Sequence, residues 1–453
     1  MKPKVMMRKR AIFTICSNNY FPYARVLFTS LKKYHPEADL FLCLADIPNS
    51  KIELGVSGVE VILASDLGID NFFDFAFRYD IMEFNTAVKP FFMDWLISKR
   101  GFEEVVYLDP DIELFAEMKP VFAALEKGAD FAITPHITKP AEFAEFPDDI
   151  GIMKAGIYNL GFMALNNSLE AQSFLQWWCR RLRYQCINQQ DCGIFVDQKF
   201  VDLLPAFHDN VAILRDRTLN VAYWNLDQRK LTYKNNQWFV DGEPLVFFHF
   251  SGIDLKQPQR LSKHTERFQD NLDSAIQSLI DRYFKGLKHF QDSSLNIPYG
   301  YGKFNSGVAI ADIMRRCYRD SPLPKKANPF DSYYLELNQP SGLVSTVSPW
   351  RITKLMRYIW EQRIDLQLAY DLNHLQDRLN YALWFVQNAN QYGIDDYFLT
   401  PVLDTTDSKT KKYQLILLST KLLGKTTWQA RNVLKKFVWL PRKVTKSVRL
   451  LFK

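Results

Sequence analysis

The sequence predicts an α/β protein: a mostly parallel sheet with helices on both faces, followed by a mainly helical C-terminal domain. Three observations carry this. Short apolar runs alternate with amphipathic stretches over roughly the first 250 residues, the βαβ pattern of a parallel sheet. From about residue 270 the apolar spacing becomes helical throughout. The chain, at 453 residues, exceeds one domain of ~150 residues. The expected boundaries are 1–270 for the sheet domain, 271–405 for the helical domain and 406–453 for a basic tail.

The elements follow in order. "AIFTICS" (11–17) is a first strand, and "YFPYARVLFTSLKKYHP" carries helical spacing up to Pro36. "DLFLCLAD" and "VEVILAS" are the next two strands, "NTAVKPFFMDWLISK" a helix, and "EEVVYLDPD" the strand after it. "ADFAITPH" and "YNLGFMALN" are further strands, followed by a helix through "AQSFLQWWCRRL" and a last strand in "PLVFFHFSG". Helices then occupy "DNLDSAIQSLIDRYFKGL", "SPWRITKLMRYIWEQRIDLQLAYDL" and "HLQDRLNYALWFVQNANQYG". Ligands of such sheets bind beyond the carboxyl ends of the strands, and Asp46, Asp109 and Asp111 all fall at such ends.

Composition narrows the class. With 47% hydrophobic and 24% charged residues the chain is globular. The apolar run after the basic start is too short for a secretory leader, and no stretch approaches a membrane span. The six cysteines form no C-x-x-C pair and read as reduced core residues of a cytoplasmic protein. The net charge of +7 is a property of the tail: residues 408–453 hold ten Lys and three Arg without one acid, which leaves the other 407 residues at −6. Mixed with Leu, Phe and Trp, that tail suits an anionic membrane surface, on the inner face of the cytoplasmic membrane, better than nucleic acid.

"VVYLDPDIELF" holds the chemistry. Two carboxylates flank Pro110 where an apolar strand ends, and alternation along an extended chain would turn both to one side. Paired carboxylates with phosphate oxygens suit a hard divalent cation, Mn²⁺ or Mg²⁺. Solvated acids at a turn are the plain alternative. So too, His249 after "LVFF" reads equally as a core histidine, and Asp197 before "QKFVDLL" as a helix N-cap. Trp177 and Trp178 read as helix core, and Trp224, among polar neighbours, as a sugar contact.

"YLDPDIELF" resembles the metal-binding strand of GT-A-fold glycosyltransferases, and the order of the other motifs resembles glycosyltransferase family 8, the group of glycogenin and the bacterial lipopolysaccharide galactosyltransferases. "FTICSNNYFPYA" resembles the family's base and ribose segment, which implicates Ser17, Asn18 and Tyr20, with Asp46 and Asp109, in nucleotide binding. "FNTAVKPFFMDWL" resembles the helix that offers a basic residue to the donor, here Lys89. "YNLGFMALN" resembles the strand lining the donor sugar, through Asn159 and Gly161. "GIFVDQKFVDLLP" resembles the segment beside the anomeric carbon, which makes Asp197 and Gln198 the catalytic candidates. "HFSG" resembles the H-x-x-G whose histidine, His249, joins Asp109 and Asp111 on the metal, with Gly252 at the diphosphate. The family's Lys-Pro-Trp is replaced by "IDLKQPQRLSKHTER", which leaves Lys256, Lys263 and His264 open as diphosphate contacts.

The resemblance implies a metal-dependent transfer, with retention, from a nucleotide-diphosphate sugar, with UDP the favoured nucleotide. The acceptor would be a glycan or lipid-linked glycan of cell-surface polysaccharide or lipopolysaccharide. A catalytically inactive binding or scaffold protein of the same fold is one alternative. A sugar nucleotidyltransferase is another, although "SNNYFPYA" lacks the Gly-rich phosphate loop that class needs.

Overall fold

The computed structural model describes residues 8–142, 147–257, 260–267, 272–290, 296–321, 327–342 and 352–399. The basic tail lies outside them. The chain divides into two compact units, 1–302 and 303–453.

The first unit is built on a seven-stranded mixed sheet, the mostly parallel α/β arrangement expected. In chain order its strands and their small companions are β1 (Arg10–Cys16), β2 (Asp39–Leu44), β3 (Val59–Leu63), β4 (Glu104–Leu108), β5 (Ile112–Leu114), β6 (Phe131–Pro135) and β7 (Tyr158–Asn166). They continue with β8 (Asn188–Gln189), β9 (Ile194–Phe195), β10 (Val211–Ile213), β11 (Leu231–Lys234), β12 (Gln237–Val240), β13 (Glu243–Pro244) and β14 (Phe247–His249). The large sheet runs β10-β6-β7-β4-β1-β2-β3. All its pairings are parallel except those of β7, which is antiparallel to both β4 and β6. That inversion matters for function. It brings the first residues of β7, not the last, to the carboxyl edge, where Phe162 pairs with Leu108 and Tyr158 with Pro135.

The helices of this unit carry strong local signals. They are α1 (Phe21–Tyr34), α2 (Phe72–Phe77), α3 (Ile81–Ala87), α4 (Lys89–Ser98), α5 (Lys119–Glu126), α6 (Asp149–Ala155), α7 (Leu169–Gln185), α8 (Gln198–Val201), α9 (Leu204–Phe207) and α10 (Ser274–Phe290). α1 has Pro22 in its first turn and Lys32 and Lys33 in its last, both favourable positions. The helix expected across "NTAVKPFFMDWLISK" is two, since α3 opens on an Asp80–Glu83 capping box and Val88 separates it from α4.

The helix at 274–290 was expected in the C-terminal domain, but it belongs to the first unit. Its apolar stripe of Ile276, Leu279, Ile280, Tyr283 and Leu287 packs in one buried cluster with Tyr23, Phe115, Trp238 and Phe250. The Phe250 and Tyr283 rings stack 3.7 Å apart. The second unit, described by itself, is helical: α11 (Asp312–Asp320), α12 (Pro329–Leu337), α13 (Lys354–Glu361), α14 (Ile364–Ala369) and α15 (Leu375–Asn388). The break between α13 and α14 falls at Arg363, whose backbone is extended. No helix among the described residues is long and apolar enough to cross a membrane, and all six cysteines are free thiols.

Candidate active site

The two aspartates do not share a strand face. β4 ends at Leu108, and Asp109-Pro110-Asp111 is a turn closed by Ile112 N–H donating to the Asp109 carbonyl at 3.1 Å. The turn is pinned from both sides. Asp109 N–H donates to the Gly161 carbonyl on β7 (2.7 Å), and Phe250 N–H donates to the Asp111 carbonyl (2.9 Å). β5 then pairs antiparallel with β14, with Ile112 opposite His249. A turn and a strand some 140 residues apart thus meet through backbone pairing.

Asp109, Asp111 and His249 each offer a ligand atom within 4.8 Å of the others. His249 Nε2 lies 3.1 Å from Asp111 Oδ1 and 3.6 Å from Asp109 Oδ2. Burial pushes the His249 imidazole down, but the charge and hydrogen bond of Asp111, with Asp109, outweigh it and leave its pKa raised. Burial raises the Asp109 carboxyl, opposed by Lys89 and His249 and assisted by Asp111. The Tyr107 hydroxyl donates to Asp109 Oδ1 and fixes that carboxylate. Gly161 is required here, because a Cβ would fall 2.4 Å from His249 Cε1.

A second charged group lines the same cavity. Lys89 Nζ meets Asp197 Oδ2 at 2.5 Å, donates to the Leu160 carbonyl at 2.8 Å and sits 4.2 Å above the Tyr107 ring. Both side chains of the pair are buried. Burial raises the Asp197 carboxyl against the pull of Lys89. Asp197 makes no N-cap hydrogen bond to α8. Gln198 is held at both ends of its amide, accepting from Leu160 N–H and donating to the Ala155 carbonyl, each at 2.9 Å. Val196, just before them, has φ +40°, a rare value for a β-branched residue and a conformation found at functional sites.

These residues line one cavity of about 640 Å³, with Ser17, Tyr20, Asn159, Gly161, Gly252, Lys263 and His264. Three sequence candidates lie outside its lining. Asp46 accepts from the backbone N–H groups of Asn18 (3.1 Å), Ile47 (2.8 Å) and Gly300 (2.7 Å), so its carboxylate clamps the ends of β1 and β2 to the 300 segment. Asn18 donates its amide to the Ile47 carbonyl. Lys256 is exposed, with its N–H on Asp254. Gly252 is in the left-handed region at φ +74°, and a Cβ there would meet His264 at 2.3 Å. Trp178 is fully buried in the α7 core, whereas Trp224 lines the cavity edge-on to both His136 and His249.

Sequence reasoning did not find Tyr107, Asn85, His136 or Asn220. Asn85 Nδ2 donates to Ser17 Oγ at 2.7 Å, and His136 faces Asn159 at 3.1 Å. His136 directly follows β6 as Asp109 directly follows β4, and that was the one available signal.

No family model matches the chain. It is 24% identical over 300 residues to the Bacillus subtilis protein YfnF, covering 62% of this chain and 99% of the relative. It is 27% identical over 260 residues to Bacillus subtilis YfnD, covering 56% of this chain and 75% of the relative. The solved structures it resembles include glycosyltransferases. The galactosyltransferase LgtC with donor and acceptor sugar analogues matches with TM-score 0.38 and 15% identity, over 64% of this chain and 97% of that one. GlyE of Streptococcus pneumoniae TIGR4 matches with TM-score 0.36 and 15% identity, over 66% and 67%. Mouse xyloside xylosyltransferase 1 matches with TM-score 0.32 and 13% identity, over 53% and 97%.

Proposed function

We propose that this protein is a divalent-metal-dependent glycosyltransferase that moves a sugar from a nucleotide-diphosphate donor to a glycan or lipid-linked glycan acceptor. One observation carries the reading. Asp109, Asp111 and His249 converge on one point at the wall of a cavity that Lys89, Asn159, Gly161, Asp197 and Gln198 also line. The donor set fits Mn²⁺ or Mg²⁺: two carboxylates and an imidazole, one carboxylate already fixed by a tyrosine hydroxyl. A bound cation would supply Lewis-acid stabilisation of charge on the leaving diphosphate.

The chain's own residues do the rest. Ser17 and Tyr20 bind the nucleoside, and Tyr20 already stacks on Tyr23 at 4.7 Å. Lys263 and His264 approach the diphosphate from the segment folded over Gly252, where Lys263 N–H meets the Gly252 carbonyl at 2.8 Å. Gly161 leaves room beside the imidazole, and Asn159 faces the sugar. Asp197 borders the anomeric carbon, held in place by Lys89. Gln198 braces β7 against α6 behind it. The acceptor hydroxyl attacks the anomeric carbon as its bond to the diphosphate breaks, with retention, and the hydroxyl proton leaves on the diphosphate oxygen.

UDP as the nucleotide, cell-surface polysaccharide or lipopolysaccharide as the product, and a cytoplasmic, membrane-peripheral location through the basic tail complete the proposal. The test is release of nucleoside diphosphate from a panel of nucleotide sugars with and without Mn²⁺. Metal-dependent release that Asp111→Ala abolishes is expected. No release from any donor, or undiminished release by Asp111→Ala, would sink the reading.

A further inference from the structure

Beside the donor wall lies a buried polar network in which Asn159 alone belongs to a motif. Asn220 is wholly buried, with φ +51°, a left-handed conformation that asparagine tolerates. Its Nδ2 donates to Thr134 Oγ1 on β6 (2.9 Å) and to Asn159 Oδ1 on β7 (3.0 Å), which commits both of its N–H groups. Asn225 holds the loop in place by donating to the carbonyls of His136 (2.9 Å) and Asn220 (3.0 Å). The next residue in the loop, Val221, accepts from His249 N–H at 2.8 Å. The same loop therefore touches both the Asn159 amide and the strand that carries a metal-ligand candidate.

From this geometry we infer that Asn220 is a positioning residue: it fixes the Asn159 amide so that Asn159 presents an N–H, and no acceptor, to the cavity. The Asn159 oxygen is already occupied, receiving Gly161 N–H at 3.1 Å as well as Asn220. A flipped amide would turn its NH₂ onto two donors. In the unflipped form, Asn159 Nδ2 faces His136 Nε2 at 3.1 Å. His136 Nδ1 lies 3.4 Å from the Ile157 carbonyl, which can only accept, so Nδ1 carries the proton and Nε2 accepts. Burial keeps that imidazole neutral by pushing its pKa down to about 4. One Asn159 N–H goes to His136, and the second is left for an acceptor oxygen on the bound ligand. This inference rests on the proposed function, and it assigns that oxygen to the sugar of the donor.

The test uses the full chain. Asn220→Asp keeps the shape and tolerance of the left-handed backbone but removes both donors. It is expected to raise KM for the nucleotide sugar about tenfold, the scale of one hydrogen bond. Affinity for the free nucleoside diphosphate with Mn²⁺, measured by calorimetry, should stay within about twofold. In an Asn159→Ala background, Asn220→Asp should add nothing, because it acts through Asn159. Thr134→Val, which removes only one partner of Asn220, should show the same pattern more weakly and stands in if Asn220→Asp fails to fold. Additive effects in the double variant, or equal loss of nucleoside-diphosphate and nucleotide-sugar affinity, overturn the inference and leave the functional reading intact. A wild-type protein that binds no nucleoside diphosphate overturns both.

Discussion

Two charged clusters face the same cavity and solve opposite problems. At Asp109, Asp111 and His249, two carboxylates meet one imidazole, and burial with mutual repulsion raises the Asp109 pKa. At Lys89 and Asp197, one ammonium meets one carboxylate at 2.5 Å and the charge closes within the protein. The first cluster is an arrangement that could hold a cation, while in the second the two charges pair with each other. On the proposed function the first group binds ligand and the second positions it, whereas in the sequence the first reads as metal ligands, Lys89 as a donor contact and Asp197 as a catalytic candidate.

Disarming the first cluster should have the largest effect. Asp111→Asn should cost on the order of 10²–10³-fold in turnover, the scale of removing one preorganised electrostatic contact, and should abolish stabilisation by Mn²⁺ in a thermal melt. The second cluster should respond in stability. Lys89→Met strands a buried carboxylate and should cost about 3–5 kcal/mol in urea denaturation, whereas adding Asp197→Asn should recover most of it. A Lys89→Met variant of unchanged stability with weakened diphosphate binding would make Lys89 a ligand contact after all.

His136 should make stability depend on pH. Its folded-state pKa, about 4, lies below its unfolded value of ~6.5, so its contribution is present above pH ~6.5 and is lost as pH falls through about 4. Stability should decline over that window by up to roughly 3 kcal/mol from this group, and His136→Gln should flatten the profile. The smallest effect separates the lysines. Lys263→Ala should weaken nucleoside-diphosphate affinity about tenfold, and Lys256→Ala should leave it unchanged, because only Lys263 lines the cavity.

Much of the sheet was legible in local pattern. β7 falls on "YNLGFMALN" as expected, and α1 and α7 occupy their amphipathic stretches. α10 was assigned to the wrong unit because an apolar stripe states that a helix is buried without naming its partner. Asp109 and Asp111 were expected together on a pleated strand, and they come together on a turn instead.

What the sequence determined by itself is chemical identity and local form: carboxylates at a strand end, proline and capping residues at helix starts, apolar runs of strand and helix period. These depend on neighbours a few residues away. Tertiary structure decided which charges are neutralised inside the protein. Lys89 reaches Asp197, 108 residues on, and Asn220 reaches Asn159 across 61. The direction of β7 put Asn159 and Gly161 beside Asp109 and His249. Such pairings depend on how separate strands are ordered and oriented in one sheet, and no local periodicity encodes that order.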